Sequence, residues 1–167
     1  MAEKKGRNAV YVGSFNPIHV GHIETMKYGL EHFEYLNMFV RYNDGVDLTD
    51  WDTKQMFFEM VAKDLGATDR VRIFKEESEE KGKSYAIELF YDFIRKTEQV
   101  IGEKVDGFLF GSDYEKILPL LQKEFPDMQF IILDRSEGYS STAIREDLEG
   151  HKDWLPPYVY ETLKKLQ

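Results

Sequence analysis

Apolar residues recur in this chain with two alternating rhythms. Short stretches in which most positions are apolar fall at 10–14, 36–42, 71–75, 107–111 and 129–133, and they predict strands. Between and after them, apolar residues return every three or four positions at 23–33, 53–65, 85–100, 114–125, 143–148 and 157–166, which predicts helices. Phe108-Leu109-Phe110 and Phe130-Ile131-Ile132-Leu133 are apolar on both faces, as strands inside a parallel sheet are. The alternation of strand and helix predicts an α/β fold, a Rossmann-like doubly wound parallel sheet of about five strands with helices on both faces. Phe33, Phe39, Phe57, Phe58, Phe90, Tyr91 and Phe93 keep helix or strand spacing and are expected in the core. No linker, internal repeat or low-complexity segment interrupts the series, so a single domain is expected over 1–167, with 1–7 flexible and 143–167 a C-terminal helical part.

Candidate chemistry begins where the first strand meets the first helix. The segment is Gly13-Ser14-Phe15-Asn16-Pro17-Ile18-His19-Val20-Gly21-His22. A strand feeding a tight turn and then a helix start suits phosphate, because backbone N–H groups and the positive end of the helix dipole converge there. Pro17 stiffens the turn, Gly21 allows close backbone approach, and two imidazoles add donors for phosphate oxygens. Ligands of doubly wound sheets bind beyond the carboxyl ends of the strands, at a switch in strand order. Gly13 marks one such end and Gly111-Ser112-Asp113 another.

A second hydroxyl-rich helix start, Ser140-Ser141-Thr142-Ala143-Ile144-Arg145, lies near the other end of the domain. On its own it reads as a cap. Together with the first segment it offers a second set of donors to one polyphosphate. His32 and His151 have no partner pattern.

Composition narrows the partners. The chain carries 31 acidic against 22 basic residues, a net charge of −9, which argues against a nucleic-acid surface. The Glu76-Glu77-Ser78-Glu79-Glu80 run reads as a solvated loop. Without cysteine there is no disulfide, thiol nucleophile or thiolate metal site, which fits a cytoplasmic protein. No run is long and apolar enough for a membrane span, and the polar residues 1–7 lack the apolar region of a signal peptide. No carboxylate cluster has the spacing of a dedicated metal site. Small-molecule substrates, with neither nucleic acid nor membrane as partner, are therefore expected.

The two motifs resemble those of the HxGH nucleotidyltransferases, a superfamily of nicotinate and nicotinamide mononucleotide adenylyltransferases, phosphopantetheine adenylyltransferase and the cytidylyltransferases. His19-x-Gly21-His22 matches their first signature, with the hydroxyl of Ser14 ahead of it, and Ser140 to Arg145 matches their Ser-Ser-Thr-x-Ile-Arg signature. The resemblance implies nucleotidyl transfer without a covalent enzyme intermediate. An acceptor phosphate attacks the α-phosphorus of a nucleoside triphosphate and pyrophosphate leaves, so catalysis is positioning plus charge stabilisation. It implies His19, His22 and Arg145 as catalytic residues. His22 would touch oxygens that carry charge in the transition state. Gly13, Ser14, Phe15, Gly21, Gly111, Asp113, Ser141 and Thr142 would bind the nucleotide, with Asp113 accepting from the ribose hydroxyls. Magnesium would be bound through the nucleotide phosphates, with ATP as substrate and a homo-oligomer as the assembly.

Acceptor and base leave alternatives open. Ser84-Tyr85-Ala86-Ile87-Glu88-Leu89 and Leu155-Pro156-Pro157-Tyr158-Val159 are similar to segments of the nicotinate mononucleotide enzymes, and Asn16-Pro17-Ile18 is closer to the adenylyltransferases than to the cytidylyltransferases. Three departures stand against this. Leu121 occupies the place of the tryptophan that stacks on the pyridine, leaving Trp51 or Trp154 as substitutes. The usual Pro-Pro-His-Lys loop is replaced by a region with Asp44, Asp47, Asp50, Trp51 and Lys54, which reads either as an acidic surface loop or as an acceptor site formed by Asn16, Trp51 and Lys54. Such a loop suits the amide, nicotinamide, at least as well as the acid. Finally, Arg135-Ser136-Glu137-Gly138-Tyr139-Ser140-Ser141-Thr142 resembles a cytidylyltransferase segment. The alternatives are CTP with a polyol phosphate or phosphocholine-type acceptor, phosphopantetheine adenylyltransferase, and a nucleotide-binding protein without activity.

Overall fold

Strand β1 (Gly6–Gly13) and helix α1 (Val20–His32) set the position of everything that follows. The structure is a computed structural model and describes residues 4–77, 87–133 and 138–167, without the side chains of Glu77, Ser112 and Asp113. The expected start of the third helix, residues 84–86 of the Ser-Tyr segment, residues 78–80 of the acidic run and Arg135, Ser136 and Glu137 lie outside the described residues. The remaining elements are β2 (Phe33–Tyr42), α2 (Trp51–Asp64), β3 (Val71–Glu77), α3 (Ile87–Ile101), β4 (Gly107–Phe110), α4 (Leu118–Glu124), β5 (Gln129–Ile132), α5 (Ser141–Glu146) and α6 (Pro157–Lys165).

All the strand pairs are parallel, and the order is β3-β2-β1-β4-β5. Successive side chains of a strand go to opposite faces, and each face has its own apolar core. Ala9, Tyr11, Leu36, Met38, Val40 and Leu109 meet Met26 and Leu30 of α1, Phe57, Phe58 and Val61 of α2, and Val159 and Leu163 of α6. Val10, Val12, Phe39, Phe108 and Phe110 meet Ile94 of α3 and Leu121 of α4 on the other face. This is the doubly wound sheet expected from the strand-helix alternation. Phe33, Phe39, Phe57 and Phe58 are buried as expected, while Phe90, Tyr91 and Phe93 are partly buried against the second core. Among the described residues no helix is long and apolar enough to cross a membrane.

Element boundaries shift for identifiable reasons. β1 starts at Gly6 because the backbone N–H groups of Arg7 and Asn8 both donate to the Asp106 carboxylate, each at 2.9 Å, and Gly6 pairs with Phe33. Arg7, expected in a flexible segment, is therefore in the strand. β2 follows α1 with no loop, since Phe33 caps the helix and begins the strand. The single helix expected over 114–125 divides into a 3-10 turn, Ser112–Ile117, and α4. Pro119 has no N–H to donate back, so an α-helix cannot run through it, but it fits the first turn of a new one. A further 3-10 turn, Glu149–Trp154, precedes α6.

Candidate functional site

The strand order turns at β1, with β2 and β3 on one side and β4 and β5 on the other. The carboxyl ends of β1 and β4 therefore flank the switch point, where a doubly wound sheet leaves a crevice. Gly13 and Gly111 each lie two residues beyond the Tyr11–Leu109 pair, one on each side of it. Both sequence motifs converge on this end of the sheet.

After Gly13 the backbone turns sharply. Ser14 is exposed, and Phe15 takes a left-handed φ of 46°, a conformation costly for a bulky residue. Its ring is driven into the core, edge-on to Tyr11 at 5.0 Å, to Phe58 at 5.1 Å and to His22 at 4.8 Å. Gly13 has no side chain because a Cβ there would stand 3.0 Å from the Phe15 ring. Phe15 thus packs its buried ring against His22 and is not exposed as a side chain. Asn16 and Pro17 follow, joined by a cis peptide.

The two histidines begin α1 in an unusual way. His19 is the N-cap, and its Nδ1 accepts the Gly21 N–H at 3.0 Å; the Nδ1 of His22 accepts the His19 N–H at 3.1 Å. This is a capping box with two imidazoles in place of the usual hydroxyl and carboxylate. The spacing His-x-x-His is what such a box requires, because the third residue of the helix reaches back to the cap. An Nδ1 that accepts carries a lone pair, so each neutral ring has its proton on Nε2. The rings stack at 3.7 Å and are buried, 0 % and 4 % exposed. The cap thereby fixes both rings, stacked and with their Nδ1 atoms engaged by backbone N–H groups. Gly21 makes room for this arrangement, since a Cβ there would stand 2.9 Å from the His19 ring and 3.2 Å from the Cβ of Tyr139.

The second motif reaches the first directly. Ser140 caps α5, accepting the Ala143 N–H at 3.2 Å. The Ser141 hydroxyl donates to the Pro17 carbonyl at 2.9 Å. Arg145 donates to the Asn16 carbonyl at 2.6 Å and to the Thr142 hydroxyl at 3.2 Å. α5 has six residues, too few for a strong macrodipole, so its side chains make the contribution. Arg145 and Thr142 are exposed beside the histidine turn. The result is a cluster of N–H, O–H and guanidinium donors in a chain of net charge −9. Tyr139, given no role on sequence, lies 6.0 Å from His19 and edge-on to Trp154 at 5.3 Å, with His151 4.4 Å beyond. Its position just before the hydroxyl cap is the signal that could have singled it out.

The β2–α2 loop forms the third side. It is tightly built: the Asp47 carboxylate accepts the Asn43 N–H at 2.7 Å and pairs with the Lys54 ammonium, which also donates to the Arg41 carbonyl at 3.0 Å. Both side chains of that ion pair are buried, 6 % and 4 % exposed. Burial pulls the Lys54 ammonium's pKa down, and the Asp47 carboxylate opposes it. Asp50 caps α2 through the Thr53 N–H at 2.8 Å, and hydrogen bonds from the Thr53 side chain and backbone hold its carboxyl below the ordinary range. Two of the acidic residues read as surface charge therefore build the loop. Lys54, expected to meet the acceptor, is engaged with Asp47. Trp51 is half-buried, edge-on to Tyr42 at 5.8 Å and with the Lys75 ammonium 5.6 Å from its ring centroid. Asn16 accepts the Leu48 N–H at 2.9 Å on its side-chain oxygen. Leu121 is fully buried in the second core and cannot stack on a ligand. Gly111 caps the 3-10 turn at the end of β4, and the side chain of Asp113 lies outside the described residues. Among the described residues no three His, Asp or Glu side chains converge as a set of metal ligands.

Known proteins resemble this chain in sequence and in fold. The chain is 26 % identical to a probable nicotinate-nucleotide adenylyltransferase of Fusobacterium nucleatum, covering 95 % of this chain and 95 % of the relative. It is 23 % identical to a phosphopantetheine adenylyltransferase of Clavibacter michiganensis, covering 92 % and 90 %. The fold matches that of Plasmodium falciparum nicotinic acid mononucleotide adenylyltransferase, solved with NaAD, at a TM-score of 0.64 and 14 % identity over 96 % of this chain and 95 % of that one. It also matches a bifunctional NMN adenylyltransferase/ADP ribose pyrophosphatase of Francisella tularensis at a TM-score of 0.73 and 16 % identity, covering 95 % of this chain but spanning only 49 % of that protein. At such identities the structural likenesses speak for the fold alone. The model of the cytidylyltransferase-like family matches residues 10–147, most of the chain, and with adenylyltransferases among the relatives the protein belongs to that family and is a nucleotidyltransferase.

Proposed function

We propose that the protein transfers an adenylyl group from ATP to a pyridine mononucleotide, nicotinamide or nicotinate, releasing pyrophosphate in a step of NAD synthesis in the cytoplasm. The observation that carries this reading is the meeting of the two motifs, in which Ser141 and Arg145 hold the Pro17 and Asn16 carbonyls beside the stacked, Nε2–H-bearing histidines. Such a cluster can bind a triphosphate and stabilise charge on it without a protein nucleophile. The acceptor phosphate supplies the attacking oxygen. His22, with His19, contacts oxygens around the α-phosphorus, and the backbone around Ser14 and Phe15 supports the same region. Arg145, Thr142 and Ser141 take the β- and γ-phosphates and the departing pyrophosphate. Magnesium, when bound, neutralises triphosphate charge. The donor-rich residues here fit a metal carried on phosphate oxygens and water rather than one held by a carboxylate cage. Gly111 and Asp113, at the end of β4, receive the ribose. Trp51, half-buried at the start of α2, is the aromatic assigned to the acceptor.

A second reading, phosphopantetheine as acceptor, is favoured by several of the relatives. A third, CTP as donor, follows from the cytidylyltransferase-like segment ending at Thr142. Pyrophosphate release from magnesium-ATP or magnesium-CTP, with nicotinamide mononucleotide, nicotinic acid mononucleotide, phosphopantetheine or glycerol 3-phosphate, tests all three. Turnover with ATP and a pyridine mononucleotide is the expected result. Turnover with phosphopantetheine alone, or with CTP alone, replaces the first reading by the second or the third. Thermal stabilisation by nucleotide with no pyrophosphate in any combination would mark a binding protein.

A further inference from the structure

Asn16 joins two parts of the site that are far apart in sequence. Its side-chain oxygen accepts the Leu48 N–H at 2.9 Å, in the β2–α2 loop. Its backbone carbonyl accepts the Arg145 guanidinium at 2.6 Å, from α5. The loop's other bonds close it on its own flanks: Asp47 takes the Asn43 N–H and the Lys54 ammonium, and the Thr49 carbonyl takes the Tyr42 hydroxyl at 3.3 Å. Those contacts give the loop its shape. The Leu48–Asn16 bond fixes where that shape stands relative to the histidine turn and to Arg145.

We propose that Asn16 is a positioning residue, which sets the β2–α2 loop against Arg145 through its Oδ1 rather than binding the acceptor through its amide. This rests on the nucleotidyl-transfer reading above, in which the loop borders the acceptor and Arg145 faces the leaving phosphates. Transfer needs the attacking oxygen and the α-phosphorus held in line, and a displacement of about 1 Å can cost about a hundredfold in rate. A residue bonded to both sides of the reaction controls that distance.

The chemistry of the side chain separates the two roles. A direct acceptor contact would use the Nδ2–H donors on a phosphate, and an aspartate there would remove them and repel the phosphate. The positioning role uses only an oxygen that accepts Leu48 N–H. An aspartate keeps that oxygen and makes the bond charge-assisted.

The test is amide hydrogen exchange at Leu48 together with steady-state pyrophosphate release, on wild type, Asn16→Ala and Asn16→Asp. In Asn16→Ala, Leu48 exchange should accelerate about tenfold, as expected for the loss of one hydrogen bond. The acceptor KM should rise and kcat fall about ten- to a hundredfold, with the triphosphate KM moving less. Asn16→Asp should restore slow exchange at Leu48 and recover most of the acceptor KM and kcat. Asn16→Asp equal to or worse than Asn16→Ala overturns the proposal. So does rapid Leu48 exchange in the wild type, a measurement that does not depend on any variant folding. If none of the acceptors turns over, the nucleotidyl-transfer reading fails, and exchange in the wild type and Asn16→Asp still decides whether Asn16 holds the loop.

Discussion

His22 has two separable duties, and one pair of substitutions divides them. Its Nδ1 takes the His19 N–H at 3.1 Å, its ring lies on the His19 ring at 3.7 Å, and Phe15 packs edge-on against it at 4.8 Å. In His22→Ala the buried His19 N–H loses its acceptor, at a cost of about 1–3 kcal/mol. Loss of the aromatic contact adds about 1 kcal/mol. A total of about 3 kcal/mol corresponds to a fall in Tm of about 6–12 °C for a chain of this size. Turnover should fall a hundredfold or more, the loss expected for one oxyanion donor, with ATP affinity less affected. His22→Asn keeps an oxygen close to the place of Nδ1, so it can still accept the N–H, but it offers nothing at the distant Nε2 position. Its Tm should recover at least half of the loss while its turnover stays as low as that of the alanine variant. Differential scanning fluorimetry and pyrophosphate release measure the two effects on the same samples. The reasoning fails if His22→Asn melts as low as His22→Ala, or if it turns over like the wild type.

Lys54→Ala leaves the Asp47 charge buried and unpaired, so urea unfolding should show a loss of about 3–5 kcal/mol, with the Asp47→Asn/Lys54→Met pair much closer to wild type. Equal stability of the single and double variants would show that the buried pair carries no such penalty. With Trp51→Phe leaving Trp154 as the fluorophore, magnesium-ATP should change its emission, because Tyr139 lies edge-on to Trp154 and also beside His19; unchanged emission at saturating nucleotide would mean that Tyr139 stays in place when phosphates bind. The Glu103 carboxyl is held below its ordinary range by hydrogen bonds from Asn8, Arg7 and Arg72. Its contribution is therefore present in full above the unfolded value, about 4.3, and is lost as pH falls through the folded one. Glu103→Gln should melt below wild type at pH 6, with the gap closing under about pH 4; coincident melting curves at pH 6 would refute this.

Much of the fold was legible because its cause is local. The five strands and their intervening helices follow from apolar periodicity, although α1 begins at Val20, three residues before its apolar pattern, because the two histidines cap it. Boundaries were less legible wherever a distant group intervened. β1 starts four residues before its apolar run, at Gly6, where the Arg7 and Asn8 N–H groups bond the Asp106 carboxylate, 99 and 98 positions away in sequence. Pro119 was visible throughout, yet its effect on the helix before it depended on where the chain had to turn after β4.

The site divides along the same line. Sequence alone determined which residue types stand at the two motifs, and hence the class of chemistry, because phosphate recognition needs donors at a helix start and the spacing supplies them. Only the tertiary structure decided what those residues hold. It turned Phe15 inward under His22, placed Ser141 and Arg145 on the Pro17 and Asn16 carbonyls, and assigned Lys54 to Asp47 and Asn16 to Leu48. The reason is one of range. Caps and periodicity depend on neighbours three or four residues away, whereas each of these partnerships is made across a turn or across the sheet, where only the folded chain brings donor and acceptor within 3 Å.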